Sequence, residues 1–147
     1  MYKYNTRSFC LIGVKRHYIM GGNSILIVDD EPDIRQLLRI FFERQGFKVA
    51  LANDGQAALD TARQIIPNII VMDIQMPRKT GIDAVRELRA DPRFATTPII
   101  ALTAFARVNV TADLIRVGFD QVLFKPIDFA SLQNIIATAR RNIATSG

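Results

Sequence analysis

The chain has 147 residues, 49% of them apolar, and a formal net charge of +5. That length suits one domain with a substantial core, and no apolar run reaches the roughly 18–20 residues that a membrane-spanning helix needs. The charge is unevenly placed: residues 1–19 hold Lys3, Arg7, Lys15 and Arg16 and no acidic residue, so the remainder is near neutral and offers little support for a nucleic-acid surface.

Residues 1–23 have scattered apolar side chains and no long hydrophobic region, which argues against a signal peptide. They are expected to be a disordered basic extension, or an artefact of an upstream start codon with Met20 as the true start. The single Cys10 excludes an internal disulfide. His17 is the only histidine and reads as incidental.

From Ser24 onward, strand and helix patterns alternate. Ile25-Leu26-Ile27-Val28 reads as a strand that runs into Asp29-Asp30. Residues 32–45 read as a helix: Ile34, Leu37, Leu38 and Phe41 recur at helical spacing, Pro32 suits the first turn and Gly46 a C-terminal cap. Phe47 to Leu51 alternates in polarity, as a less buried edge strand does. A second helix over 55–65 is stopped by Pro67. Ile69-Ile70-Val71-Met72 then runs into Asp73, and a third helix spans about 81–90, before Asp91-Pro92. Ile99-Ile100-Ala101-Leu102 runs into Thr103, a fourth helix covers about 107–117, and Val122-Leu123-Phe124 runs into Lys125-Pro126. The last helix, about 128–143, places Leu132, Ile135, Ile136 and Ala139 on one face. The domain is therefore expected over 24–143 with a short tail, 144–147, and no second domain after it.

Continuous apolar strands joined by helices predict an α/β fold with a parallel sheet covered on both faces. In an open sheet of this kind, ligands bind beyond the carboxyl ends of the strands. Four strands then deliver Asp29, Asp30, Asp73, Thr103 and Lys125 to one edge. Each residue alone has a plain structural role open to it. Asp30 and Thr103 suit helix caps, Asp73 suits a loop cap before Gln75-Met76-Pro77, and Lys125 suits a surface position. Together they suit phosphoryl chemistry. Crowded carboxylates repel and raise one another's pKa, and a hard divalent cation such as Mg2+ relieves that repulsion through oxygen ligands. Asp73 is placed as a nucleophile able to form an acyl phosphate, Lys125 as a point charge for phosphoryl oxygens, and Thr103 as a hydroxyl donor.

The stretches Ile25-Leu26-Ile27-Val28-Asp29-Asp30-Glu31-Pro32, Val71-Met72-Asp73-Ile74-Gln75-Met76-Pro77 with Gly81, Leu102-Thr103-Ala104 and Phe124-Lys125-Pro126 resemble the receiver domain of bacterial two-component response regulators. The resemblance covers about Ser24 to Ile143. It implies a flavodoxin-like, doubly wound (βα)5 fold with strand order 2-1-3-4-5, and receivers are a stock example of that order. It implies Asp73 as phosphoacceptor, and Mg2+ held by Asp30, Asp73 and the carbonyl of Gln75, with Asp29 acting through water. Lys125 would contact the phosphoryl oxygens, Thr103 would swing to report them, and the Lys125-Pro126 bond would be cis. Gln75 and Phe105 occupy the positions that tune dephosphorylation. Many family members carry Tyr or Phe three residues before the lysine, as partner to the threonine. Here Val122 stands there, so the coupling of Thr103 to an output face is expected to be built differently.

The implied protein is a stand-alone, cytoplasmic receiver. Its phosphoryl donor would be a sensor histidine kinase or a histidine phosphotransfer protein, and its downstream target a protein of unknown identity. Neither direct nucleic-acid binding nor membrane insertion is expected. The oligomeric state is open between a monomer and a phosphorylation-dependent dimer. An aspartate-nucleophile phosphatase needs an acidic residue two positions after the nucleophile, where Gln75 stands. A flavodoxin-like cofactor binder needs a phosphate loop after the first strand, where Asp29 and Asp30 would repel the phosphate. The remaining alternative is a degenerate receiver that binds a protein without phosphate.

Overall fold

A computed structural model describes residues 23–145. The elements follow in the order β1 (Ser24–Val28), α1 (Pro32–Arg44), β2 (Lys48–Ala52), α2 (Gly55–Ile65), β3 (Ile69–Asp73), α3 (Gly81–Ala90), a 3-10 turn (Pro92–Phe94), β4 (Ile99–Thr103), α4 (Val110–Val117), β5 (Gln121–Phe124) and α5 (Phe129–Thr145). The strands form one parallel sheet in the order β2-β1-β3-β4-β5. This is the flavodoxin-like order, and it places β3 at the centre. The expectations for residues 1–22, including those for Cys10, His17 and Met20, lie outside the described residues.

The strands are apolar throughout because successive side chains point to opposite faces and both faces are covered. Ile25 and Ile27 of β1 join Ile69 and Val71 of β3 in a cluster with Leu38 and Phe42 of α1 and Leu132 and Ile136 of α5. Leu26 and Val28 face the other way, with Ile70 and Met72. They pack with Leu59 of α2, Leu88 of α3 and Leu114 of α4. Phe42 and Phe94 are fully buried, and each such side chain removed from water contributes about 2–3 kcal/mol. β2 is only partly covered, as its alternating polarity predicts.

Most predicted boundaries fall within two residues of the observed ones. The exception is α4, predicted from 107 and observed from Val110. Asn109 takes a left-handed conformation (φ 67°), and Val110 N–H donates to the Arg107 carbonyl, closing a turn before the helix begins. α5 continues to Thr145, two residues past its predicted end. The turn at Pro92–Phe94 has no counterpart in the sequence reading; Asp91 caps it by accepting from Arg93 N–H.

One arginine ties the lower end of this half of the fold together. Arg89 on α3 donates to the carbonyls of Gly118, Phe94 and Thr97 and pairs with Asp120 at 2.7 Å. The same Asp120 carboxylate accepts from Ile99 N–H at the start of β4. This hub links α3, the turn before β4 and the entry to β5, and hydrogen bonds to a charged group are the stronger kind.

Candidate functional site

The strand register brings the predicted residues to one edge. Val28 pairs with Met72, so Asp29 and Asp73 emerge side by side from β1 and β3. Asp73 pairs with Leu102, and Thr103 with Phe124, so Thr103 and Lys125 emerge next along the edge. Lys125 N–H donates to the Thr103 carbonyl at 2.8 Å, and Ile74 N–H to the Leu102 carbonyl at 3.0 Å, which carries the pairing one step past the strands. The Lys125-Pro126 peptide is cis, as the resemblance implied.

Gly81 makes the close packing of this edge possible. A methyl group there would lie 2.3 Å from the Asp73 carbonyl, an impossible approach. With glycine, the first turn of α3 seats directly under the end of β3, and Gly81 N–H donates to the Ile74 carbonyl. α3 is further fixed by a capping box in which Thr80 and Asp83 satisfy each other's backbone N–H groups.

Carboxylate oxygens of Asp29, Asp30 and Asp73 lie within 4.8 Å of one another. Asp29 is fully buried. One of its oxygens accepts from Glu31 N–H at 2.9 Å and the other from Lys125 Nζ at 2.9 Å. Its backbone carbonyl accepts from Arg35 Nη1. Asp73 is also buried; Oδ1 accepts from Gln75 N–H at 3.0 Å and Oδ2 from Lys125 Nζ at 3.2 Å. Asp30 is exposed and lines an open groove of about 530 Å3 with Gln75, Met76 and Thr80. Thr103 is buried, and its Oγ1 accepts from Phe105 N–H at 3.1 Å. It lines a second groove of about 380 Å3 with Gln75, Phe105, Val110 and Leu114.

The simple capping roles are thus redistributed. The N-cap of α1 is Glu31 and not Asp30, and it makes no side-chain cap bond. Asp30 therefore keeps its carboxylate free of the helix end. Thr103 caps its own loop rather than α4. Asp73 does cap the following turn, through Oδ1, while Oδ2 is turned to Lys125.

The charges are not balanced. Burial lifts the Asp73 carboxyl to a pKa of about 6, against the hydrogen bond from Gln75 N–H that favours the anion; the Asp29 charge adds to the lift and Lys125 opposes it. Burial works to lower the pKa of Lys125, but Asp29 and Asp73 outweigh it and hold the ammonium above its ordinary range. The two partners of this pair thus respond unequally. Lys125 is secured as a cation, whereas Asp73 remains a strained anion, chiefly because it is buried and also because it shares its ammonium with Asp29. An all-oxygen donor set with surplus negative charge is what a small hard dication requires, so the cluster fits Mg2+.

Two polar residues of consequence escape the sequence reading. Glu31 reaches Lys125 Nζ at 3.4 Å, and Arg89 forms the hub described above. The acidic residue directly after Asp29-Asp30 was the available sign for the first. Arg89 carries no local sign, because most of its acceptors are backbone carbonyls, which any residue supplies, and Gly118 and Asp120 lie 29 and 31 residues away.

Residues 25–137 match the response regulator receiver domain. The chain belongs to that family. The regulatory protein AtoC of Escherichia coli is 39% identical over 117 residues, which cover 80% of this chain and 25% of AtoC. The 14.6 kDa protein in the sodA1 3′ region of Leptolyngbya boryana is 38% identical over 112 residues, covering 76% of this chain and 86% of that protein. The receiver's fold superposes on the chemotaxis protein CheY4 of Vibrio cholerae with a TM-score of 0.75 at 29% identity, covering 80% of this chain and 98% of CheY4. The chain spans a quarter of AtoC and about half of the response regulator Rre1 of Synechocystis. No helix among the described residues is long and apolar enough to cross a membrane.

Proposed function

We propose that residues 24–143 form a receiver that takes a phosphoryl group onto Asp73 and in doing so changes a protein-binding surface. The placement of Asp73 supports this most directly: a buried carboxylate at the central strand end, held by Gln75 N–H and Lys125 Nζ beside two further carboxylates. The donor is the phosphohistidine of a sensor kinase or phosphotransfer protein. An Asp73 oxygen bonds to phosphorus as the P–N bond breaks, and the electron pair leaves with the imidazole, which keeps or takes a proton. Asp29, Asp30, Asp73 and the Gln75 carbonyl would hold Mg2+, which when bound neutralises charge on the transferred group. Lys125 supplies the second positive charge, and catalysis is positioning and neutralisation.

Thr103 lies beside this site and is assigned the role of reporter. Its strand neighbour across the register is Phe124, which is partly exposed, while Val122 packs against the core between the strands and α4. With valine in place of an aromatic switch residue, the signal is assigned to the segment carrying Phe105, Val108 and Ile115, whose side chains are exposed around α4.

Incubation with acetyl phosphate and Mg2+, followed by intact mass measurement, tests the assignment. One phosphoryl adduct that requires Mg2+ and is absent from Asp73→Asn is expected. No adduct on the native chain would instead favour a receiver that binds its partner without phosphate.

Phe105 is 56% exposed at the mouth of the groove that Thr103 and Gln75 line. Its ring restricts the approach of water to a phosphoryl group on Asp73. Phe105→Ala is expected to speed phosphate loss several-fold, followed as decay of the adduct mass; an unchanged decay would remove Phe105 from this role.

A further inference from the structure

Lys125 has three N–H donors and meets three carboxylates: Asp29 at 2.9 Å, Asp73 at 3.2 Å and Glu31 at 3.4 Å. The ammonium is therefore saturated before any phosphoryl group arrives. To donate to a phosphoryl oxygen it must release one of these partners. Asp29 is fully buried and Asp73 nearly so, and Asp73 remains a carboxylate until its oxygen bonds to phosphorus, so neither yields its bond to water as the donor arrives. The Glu31 side chain is 62% exposed and makes the longest of the three contacts, so water can take over its carboxylate at little cost.

We propose that Glu31 is the displaceable partner of Lys125, a positioning residue whose carboxylate competes with the incoming phosphoryl group and slows its acceptance. This rests on Asp73 being the phosphoacceptor. Glu31 occupies the mouth of the site, at the N-cap of α1, where it also repels an anionic donor. The loss of its charge should not disturb the helix, because its side chain makes no cap bond. In the reaction with acetyl phosphate, an Asp73 oxygen bonds to phosphorus, the P–O bond to the acetyl group breaks, and acetate leaves with the electron pair. The hydrogen bond that Lys125 gave to Glu31 passes to a phosphoryl oxygen.

The test compares the native chain with Glu31→Gln at saturating Mg2+, following adduct formation from acetyl phosphate by intact mass. Glu31→Gln is expected to accept the group roughly two- to fivefold faster at low ionic strength, the size an exposed ion pair supports. High salt should narrow the gap, because it screens exposed charges. A purely structural role for Glu31 would not produce that salt dependence. Equal or slower acceptance by the variant at low salt, or a gap that salt leaves unchanged, overturns the proposal while native acceptance still upholds the role of Asp73. No adduct on either protein overturns both.

Discussion

Replacing Lys125 with methionine is expected to cost the metal-free protein about 3 kcal/mol of folding stability at neutral pH. Methionine keeps the length and much of the volume of the side chain, so packing is little changed. What disappears is the only cation that contacts both Asp29 and Asp73 among the described ion pairs. Asp29 is fully exposed to the consequence: its side chain is 0% accessible and cannot recover the lost bond from water. Removing one member of a buried ion cluster leaves the others uncompensated, which costs far more than the intact cluster contributes. Saturating Mg2+ should restore much of the loss, since a ligand that binds only the folded state stabilises it by mass action. Chemical denaturation of native and variant chains, with chelator and then with Mg2+, measures both. A variant as stable as the native chain under chelator would mean that Lys125 does not neutralise the cluster. A loss that Mg2+ leaves untouched would show that the carboxylates do not hold the ion.

Asp73→Asn should move stability in the opposite direction, and with a defined dependence on pH. The folded pKa of Asp73 is raised from 3.8 to about 6, chiefly by burial. A raised folded pKa means that the folded state holds its proton more tightly than the unfolded state does. The associated stability is complete below about 4 and is lost as pH rises through about 6. Asp73 alone should therefore take about 2–3 kcal/mol from the native, metal-free chain across that interval, at roughly 1.4 kcal/mol per pKa unit. Asparagine is neutral throughout and escapes this loss. The variant is then expected to match the native chain near pH 4 and to exceed it above pH 6. Denaturant midpoints under chelator across this range decide the matter. A constant difference between the two chains would mean that Asp73 is not the titrating group. The same experiment with Mg2+ should reverse the order, because asparagine withdraws a charged oxygen from the ion.

These two substitutions expose a conflict that the site retains. Without its cation the site has one ammonium among several carboxylates, and local stability yields to readiness for a dication and a phosphoryl group. Strain of this kind, stored where function needs it, is the usual exception to local optimisation.

Much of this protein was legible from residue order alone. The apolar runs at Ile25–Val28, Ile69–Met72 and Ile99–Leu102 announce strands covered on both faces, because a sheet sandwiched between helix layers has no solvent side to mark with polar residues. The polar residue that ends each run announces the functional edge, since parallel strands all end on the same side. The helix limits at Pro32, Pro67 and Gly118 follow from backbone chemistry that acts over a few residues.

Where long-range packing chooses between local options, the sequence falls silent. The late start of α4 depends on Asn109 entering a left-handed turn, which helical periodicity does not register. Asp30 and Glu31 are both able to cap α1. Only the fold makes Glu31 the cap residue and leaves Asp30 in the groove with Gln75. Arg89 finds its acceptors up to 31 residues away in sequence, and Lys125 finds Asp29 across 96. Local order set the strands, the helices and the chemistry at their ends. Tertiary structure alone decided which carboxylates share one ammonium, because that depends on strand register and burial, and both arise only when distant segments meet.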